Sequence, residues 1–337
     1  MHVDPLSQSV VNNEFKFQQA LAVHQGSVRC LAVLSNTPTM LSGSIDKSVK
    51  QFSLLENGKY EFDREFVYHE SFIYDLHPSI DGNGFFSASK DKKVFHVDKE
   101  GNPAKIYEGH ENVVNSISQS TEDELVTGSW DGTARIWDVK TGQCKKVLEG
   151  HSHAVAVLSL PNGVIITGSQ DKKLRIWFKG NLQKEIDDAH EDIIRQIVEV
   201  PGMGFASCSN DETVKLWSID GAHLSTFKGH AGFVFALKTL VTGEIASGGD
   251  DCTVKIWSMD GTCKQTISLP RTVWAIEQNQ HGDLIVGTED YKVRTFTRDE
   301  GRAESGKELE EFEEEIKTKQ TANDLEQFKN APDISAQ

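Results

Sequence analysis

Six times along the 337-residue chain a histidine, a hydroxyl and an aspartate recur at nearly fixed offsets. These are the residue types from which acyl-transfer enzymes assemble a base, a nucleophile and an orienting acid. The histidines are His24, His69, His110, His151, His190 and His230. Asp46, Asp91, Asp131, Asp171, Asp211 and Asp251 follow them by 20 to 22 residues, and Ser42, Ser87, Thr127, Thr167, Ser207 and Ser247 stand four residues before each aspartate. Six copies at one period cannot all be active sites, so the triads are read as structural. A P-loop, a dinucleotide fingerprint, HExxH and GxSxG are all absent from the sequence, and no catalytic residues are assigned.

The elements that position these groups follow from the same period. The histidines are 45, 41, 41, 39 and 40 residues apart, and six residues after each aspartate comes Phe52, Val97, Trp137, Trp177, Trp217 or Trp257. A seventh unit keeps the frame with Pro270 in place of histidine, then Asp290 and Phe296. Within one unit, Val113 to Ser118, Glu124 to Ser129, Ala134 to Trp137 and Cys144 to Leu148 are short, rich in β-branched or aromatic residues, and bounded by turn chemistry. That pattern predicts four strands per unit. Asn57-Gly58, Thr141-Gly142, Asp220-Gly221 and Asp260-Gly261 predict hairpins between the third and fourth strands.

Bulk properties narrow the function classes. No apolar stretch approaches the roughly 18 to 20 residues of a membrane span, and Met1 to Gln8 has neither the basic nor the apolar region of a secretory leader. The five cysteines are an odd count without CxxC spacing, so they are expected to be buried thiols in a reducing compartment, with no metal and no cofactor. A net charge of -16 argues against nucleic acid, which is bound by Lys and Arg, and favours a basic partner. Residues 299 to 318 hold nine carboxylates against three basic side chains.

Residues 14 to 298 resemble the WD-repeat family, most specifically in Leu125-Val126-Thr127-Gly128-Ser129-Trp130-Asp131-Gly132-Thr133-Ala134-Arg135-Ile136-Trp137-Asp138. The resemblance implies an all-β, seven-bladed propeller. Its seventh blade lacks a fourth strand after Phe296, and residues 14 to 22, which alternate like a strand, are expected to complete it. Residues 1–13 are expected to be disordered, and 299–337 to form an acidic linker with a short helix. The resemblance also implies a buried network in each blade running tryptophan, hydroxyl, histidine, aspartate. Its members are Trp137, Thr127, His110, Asp131; Trp177, Thr167, His151, Asp171; Trp217, Ser207, His190, Asp211; and Trp257, Ser247, His230, Asp251. Blades two and seven, with Val97, Val286 and Pro270 breaking the pattern, are expected to be held mainly by packing.

In WD-repeat proteins, the positions three and five after the histidine and one before the aspartate project around the channel mouth. By that resemblance six aromatics fall on a solvent-facing rim: Phe72, Tyr74, Trp130, Phe233, Phe235 and Trp274. Each can bury about 150 to 250 Å², so together they exceed the patch a typical monomer exposes and point to a docking surface. The alternative is that some, Phe235 and Trp274 above all, fold inward between blades. Arg29 and Arg195 fall on the same frame, either to meet a partner or to pair with Asp192 or Glu289; Asp250 and Glu289 stand beside the aromatics.

Ser268-Leu269-Pro270-Arg271-Thr272-Val273-Trp274-Ala275-Ile276, Gly282-Asp283-Leu284-Ile285-Val286-Gly287, Arg294-Thr295-Phe296-Thr297 and the acidic segment after them look narrower still. They resemble the end of the propeller in the phospholipase A-two-activating protein family. That resemblance implies a ubiquitin-binding adaptor in ubiquitin-dependent protein catabolism at the proteasome, in cytoplasm and nucleus. The family works with the valosin-containing protein AAA ATPase through later domains, so this chain is expected to be the propeller piece, a monomer, of a longer protein. Nothing in it suggests phospholipase chemistry. A generic scaffold or a ubiquitin-ligase substrate receptor is the alternative, although Trp137-Asp138 is followed by Val139-Lys140 rather than the Trp-Asp-x-Arg of such receptors. In the tail, Ser305 with Glu308 reads as a capping box, and Leu309, Phe312 and Ile316 recur at helical spacing. A helix leaning on the propeller flank or a separate docking peptide would each fit; the remainder through Asp333 reads as disordered.

Overall fold

A computed structural model describes residues 13–34 and 37–330, with side chains described as far as residue 319. Among these residues are twenty-eight strands, numbered β1 to β28, and one helix, α1. The strand β1 (Lys16–Ala22) comes first. Blade one is β2 to β5 (Val28–Leu34, Thr39–Ser44, Val49–Leu54, Tyr60–Phe66) and blade two β6 to β9 (Ile73–Pro78, Gly84–Ser89, Val94–Asp98, Pro103–Tyr107). Blade three is β10 to β13 (Val114–Thr121, Glu124–Ser129, Ala134–Asp138, Cys144–Leu148) and blade four β14 to β17 (Val155–Ser159, Val164–Ser169, Leu174–Phe178, Asn181–Ile186). Blade five is β18 to β21 (Ile194–Val200, Gly204–Ser209, Thr213–Ser218, His223–Lys228) and blade six β22 to β25 (Val234–Thr239, Ile245–Gly249, Thr253–Trp257, Cys263–Ser268). Three strands remain for blade seven: β26 (Val273–Gln278), β27 (Leu284–Thr288) and β28 (Lys292–Thr297).

The expected closure is present. β1 pairs antiparallel with β28, Lys16 opposite Thr297 and Ala22 opposite Lys292, and supplies the fourth strand of blade seven. This leaves the ring without an open sheet between its two ends. The apolar faces of successive blades pack on one another; Val28 and Leu31 of blade one, for example, lie with Ala275, Ile285 and Val293 of blade seven.

The buried network ties the strands of each blade together. In blades three to six the tryptophan Nε1–H donates to the hydroxyl oxygen at 2.7 to 2.9 Å. The same hydroxyl lies 2.7 to 2.8 Å from histidine Nε2, and histidine Nδ1 lies 2.7 to 2.8 Å from the aspartate. In blades three, five and six a neutral imidazole with its proton on Nδ1 satisfies both ring nitrogens: the hydroxyl donates to Nε2 and Nδ1–H donates to the carboxylate; in blade four the Arg175 guanidinium also lies against His151 Nδ1 and Asp171. Burial alone would raise Asp171 and Asp251, but the histidine and backbone N–H donors outweigh it and hold both at about 2.

Blades two and seven, expected to be held mainly by packing, each keep a polar tie as well. Val97 removes the tryptophan N–H from blade two, yet His69 still meets Ser87 at 2.9 Å and Asp91 at 2.8 Å. Blade seven substitutes a cation for the histidine. The fully buried Arg294 donates to Thr288 at 2.7 Å, to Asp290 at 2.6 and 3.0 Å, and to Glu315 of the helix at 2.8 Å. A buried guanidinium has to be paired, and here blade and helix share that task.

The helix α1 (Lys307–Asn330) is longer than the short element expected, and it continues through residues read as disordered. Residues 1–12 and 331–337 lie outside the described residues. The capping box does not form; the Glu304 carboxylate accepts the backbone N–H groups of Ser305 and Gly306 instead. Phe312, with Leu309 and Ile316 beside it, packs into the cluster containing Phe15, Phe17 and Phe296, so the helix leans on the flank of blade seven. The cysteines also divide: Cys30, Cys208 and Cys252 are buried as expected, whereas Cys144 and Cys263, on the outermost strands of blades three and six, are exposed.

Candidate functional site: the channel mouth

The innermost strands carry a repeated irregularity that builds the site. In six blades the pairing of the innermost strand with its neighbour shifts register, between Val28/Cys30, Ile73/Asp75, Val114/Ser116, Ile194/Gln196, Val234/Ala236 and Val273/Ala275. The residues left unpaired are Arg29, Tyr74, Asn115, Arg195, Phe235 and Trp274, the positions five after each histidine and their blade-seven equivalent. A β-bulge re-aims the side chain it carries, and all six line one cavity of about 840 Å³ running through the ring. Blade four alone has no shift; Ala156 pairs regularly with Gly168 and is buried. The mouth is therefore ringed by six bulge-borne side chains, while blade four contributes Ala154, Val157 and Leu158 to the lining without a bulge.

The side chains form two aromatic groups. Phe235 and Trp274 are stacked with centroids 4.3 Å apart at 15°, and the Arg29 guanidinium lies 3.5 Å from the Trp274 ring. The Arg195 guanidinium is 5.3 Å from Phe235, and Phe233 meets Phe235 edge-on at 6.2 Å. Across the mouth Tyr74 and Trp130 meet edge-on at 5.6 Å. Phe72 lies outside the cavity lining, half-buried under Lys90 at 5.0 Å. Trp130 and Phe233 are both 42% exposed, while Tyr74, Phe235 and Trp274 are half-buried. Phe235 and Trp274 therefore neither stand free nor vanish between blades: they lean on each other and leave one edge at the mouth.

Neither arginine takes the acidic partner considered from sequence. Arg195 Nε donates to Asn210 at 2.7 Å, and among the described residues neither guanidinium makes an ion pair. Burial pulls the Arg29 pKa down, and the more distant Tyr74 and Glu289 only partly counter it; Arg195, a like charge, pulls it further the same way. Asp250 and Glu289 are exposed on the rim, Asp250 accepting from Thr272 at 3.2 Å. Asn115 is the mouth residue that a search for aromatics passes over; its place in the frame was the available signal. No group of three or more His, Cys, Asp or Glu side chains arranged to hold a metal occurs among the described residues.

A closed ring of seven four-stranded blades with this repeated network is a WD-repeat propeller, and the chain belongs to that family. The family profile for the WD domain, G-beta repeat, matches residues 15–53, 61–98, 101–138, 142–177 and 221–258. Among curated relatives, the ubiquitin homeostasis protein lub1 of Schizosaccharomyces pombe is 38% identical over 310 residues, 90% of this chain and 42% of that protein. A ribosome biogenesis protein WDR12 homolog of Aedes aegypti is 27% identical over 170 residues, 50% of this chain and 34% of that protein. The chain thus spans less than half the length of either relative. The crystal structure of the WD40 β-propeller domain of Doa1 superimposes with a TM-score of 0.78 at 29% identity, covering 87% of this chain and all of that domain. The similarity to lub1 and to the Doa1 propeller agrees with the narrower resemblance carried by blade seven.

Proposed function

We propose that this propeller is a non-catalytic platform that binds ubiquitin through the channel-mouth face. The observation that carries the reading is the bulge-presented cluster of Phe235, Trp274 and Arg29 with the exposed Phe233 and Trp130 beside it. Rigid aromatic anchors ringed by polar groups are what protein-binding hot spots are made of, and ubiquitin offers an apolar patch rimmed by basic side chains. Asp250 and Glu289 supply exposed acids next to the aromatics. A relative covering most of this chain is named for ubiquitin homeostasis, which supports the same reading. The propeller then serves a degradation adaptor, in cytoplasm and nucleus, that engages the valosin-containing protein ATPase through segments outside this chain. Titrating isotope-labelled ubiquitin with the purified propeller tests the reading: chemical-shift changes confined to one apolar patch are expected, and an unchanged spectrum at millimolar propeller would end it.

A further inference from the structure

In each blade the turn between the second and third strands holds one residue before and one after the network aspartate, or Asp290 in blade seven. These fourteen positions divide by sign. Blades one to four carry Lys47, Lys90, Lys92 and Lys172 there and no acid, blades five to seven carry Glu212, Asp250 and Glu289 and no base, and all seven side chains are exposed. Consecutive blades are neighbours in the ring, so the mouth face has a basic arc and an acidic arc. The residues after the network histidines, among them Glu70, Glu111, Glu191 and Arg271, do not share the division, and Arg29 and Arg195 line the cavity instead. Every one of these turns is tied to the mouth in the same way. The backbone N–H before the aspartate donates, at 2.8 to 3.2 Å, to the carbonyl of the residue three after the histidine or its blade-seven equivalent. Blades two and six both have phenylalanine at that acceptor position, with opposite charges beside it: Lys90 bonds to Phe72 and Asp250 to Phe233. Lys90 Nζ lies 5.0 Å from the half-buried Phe72 ring, whereas Phe233 is 42% exposed. The face of an aromatic ring is electronegative, so an ammonium covers it and a carboxylate does not. The acidic arc thus keeps its phenylalanine bare, edge-on to the Phe235 that stacks on Trp274.

We infer that ubiquitin docks off-centre, over blades five to seven, with its apolar patch on Phe233 and the Phe235–Trp274 pair, its basic rim against Glu212, Asp250 and Glu289, and the lysine arc outside the footprint. This rests on the proposed ubiquitin binding and adds where on the face the partner sits and which residues set its orientation. Juxtaposed like charges suppress a wrong docking pose, and complementary charges fix the register of the right one. A basic rim laid over Lys47, Lys90 and Lys92 meets repulsion and a phenylalanine already covered; laid over the acidic arc it meets opposite charges and a bare ring.

The test reverses charge on each arc and reads the ubiquitin Kd of the whole protein in about 0.1 M salt, where a Debye length of about 10 Å confines each charge largely to its own arc. Glu212→Lys/Asp250→Lys gives blades five and six what blade two already holds at the same positions, Lys92 and Lys90. Glu212 and Lys92 even share a left-handed backbone, with φ of 67° and 72°, so the double variant should fold, and its melting curve checks this. It should weaken binding about fivefold or more, and Glu289→Lys alone about twofold or more. Lys47→Glu/Lys92→Glu, the opposite exchange on the basic arc, should leave the Kd within about twofold of the parent. Equal losses from both double variants, a loss from the lysine pair alone, or no change from either would each overturn the off-centre pose while leaving ubiquitin binding in place. Absence of binding by the parent protein would instead remove the functional reading, and this inference with it.

Discussion

Phe312 of α1 lies flat on Phe17 of β1, with ring centroids 4.4 Å apart and planes 10° from parallel. The strand that closes the ring is thus covered by the helix that follows it. Phe296 of β28 completes the group edge-on, 6.0 Å from Phe17 and 5.9 Å from Phe312. Ion pairs fasten the segment between: Arg302 to the buried Asp283 at 2.5 Å and Lys59 of blade one to Glu304 at 2.8 Å.

Phe312→Ala should therefore weaken the ring itself and not merely free a tail. A buried Phe→Ala typically costs about 3–5 kcal/mol, so a loss of about 3 kcal/mol is expected in chemical denaturation. A loss below about 0.5 kcal/mol would mean the helix is a passive appendage.

The network in blade three hangs on one oxygen. Thr127 Oγ1 accepts from Trp137 at 2.8 Å and reaches His110 at 2.8 Å. Thr127→Val keeps the shape and strands both partners; at about 1–3 kcal/mol for each buried unpaired group, a loss of about 2–6 kcal/mol is expected. Thr127→Ser keeps the hydroxyl and should fall within about 1 kcal/mol of the parent. Similar midpoints for the two variants would contradict the network's contribution.

Asp75, in the channel wall, gives the stability a pH dependence of opposite sign to the network aspartates. Burial raises its pKa to about 7 against the N–H groups of Ile117 and Leu76, which pull it down. A folded pKa above the unfolded one means the stabilising contribution is whole below pH about 3.9 and is lost as pH rises towards 7. Asp75→Asn keeps an acceptor for Ile117 and should remove that decline, so the variant gains on the parent between pH 5 and 8. For Asp171 and Asp251, held at about 2, the contribution is present above about pH 3.9 and is lost as pH falls towards 2. Denaturation midpoints across about pH 2 to 8 read both limbs; parallel parent and Asp75→Asn curves would refute the first.

For the proposed ubiquitin contact, Trp274→Ala and Phe235→Ala should each weaken binding by more than about 1 kcal/mol. Removing either ring also takes away the support of a guanidinium. Phe178→Ala, which alters an exposed aromatic at the end of the third strand of blade four, should leave the affinity unchanged. Equal effects at all three positions would show that binding does not use the mouth.

The repeat alone determined the blades. A blade needs about forty residues whose four strands pair with sequence neighbours, so the spacing of His110, Thr127, Asp131 and Trp137 carries its own register, and counting from the histidine located Arg29 and Phe235, with Trp274 as their equivalent in the blade that lacks one. What lies between blades could not be read that way, because those contacts exist only once the ring closes. Ring closure lays Arg29 of the first blade on Trp274 of the last. It also brings α1 close enough for Glu315 to share the buried charge of Arg294, where no periodic signal marked a substitute for the missing histidine. Local pairing is encoded within a unit, whereas the partner of a side chain that faces the next unit is chosen by how all seven pack.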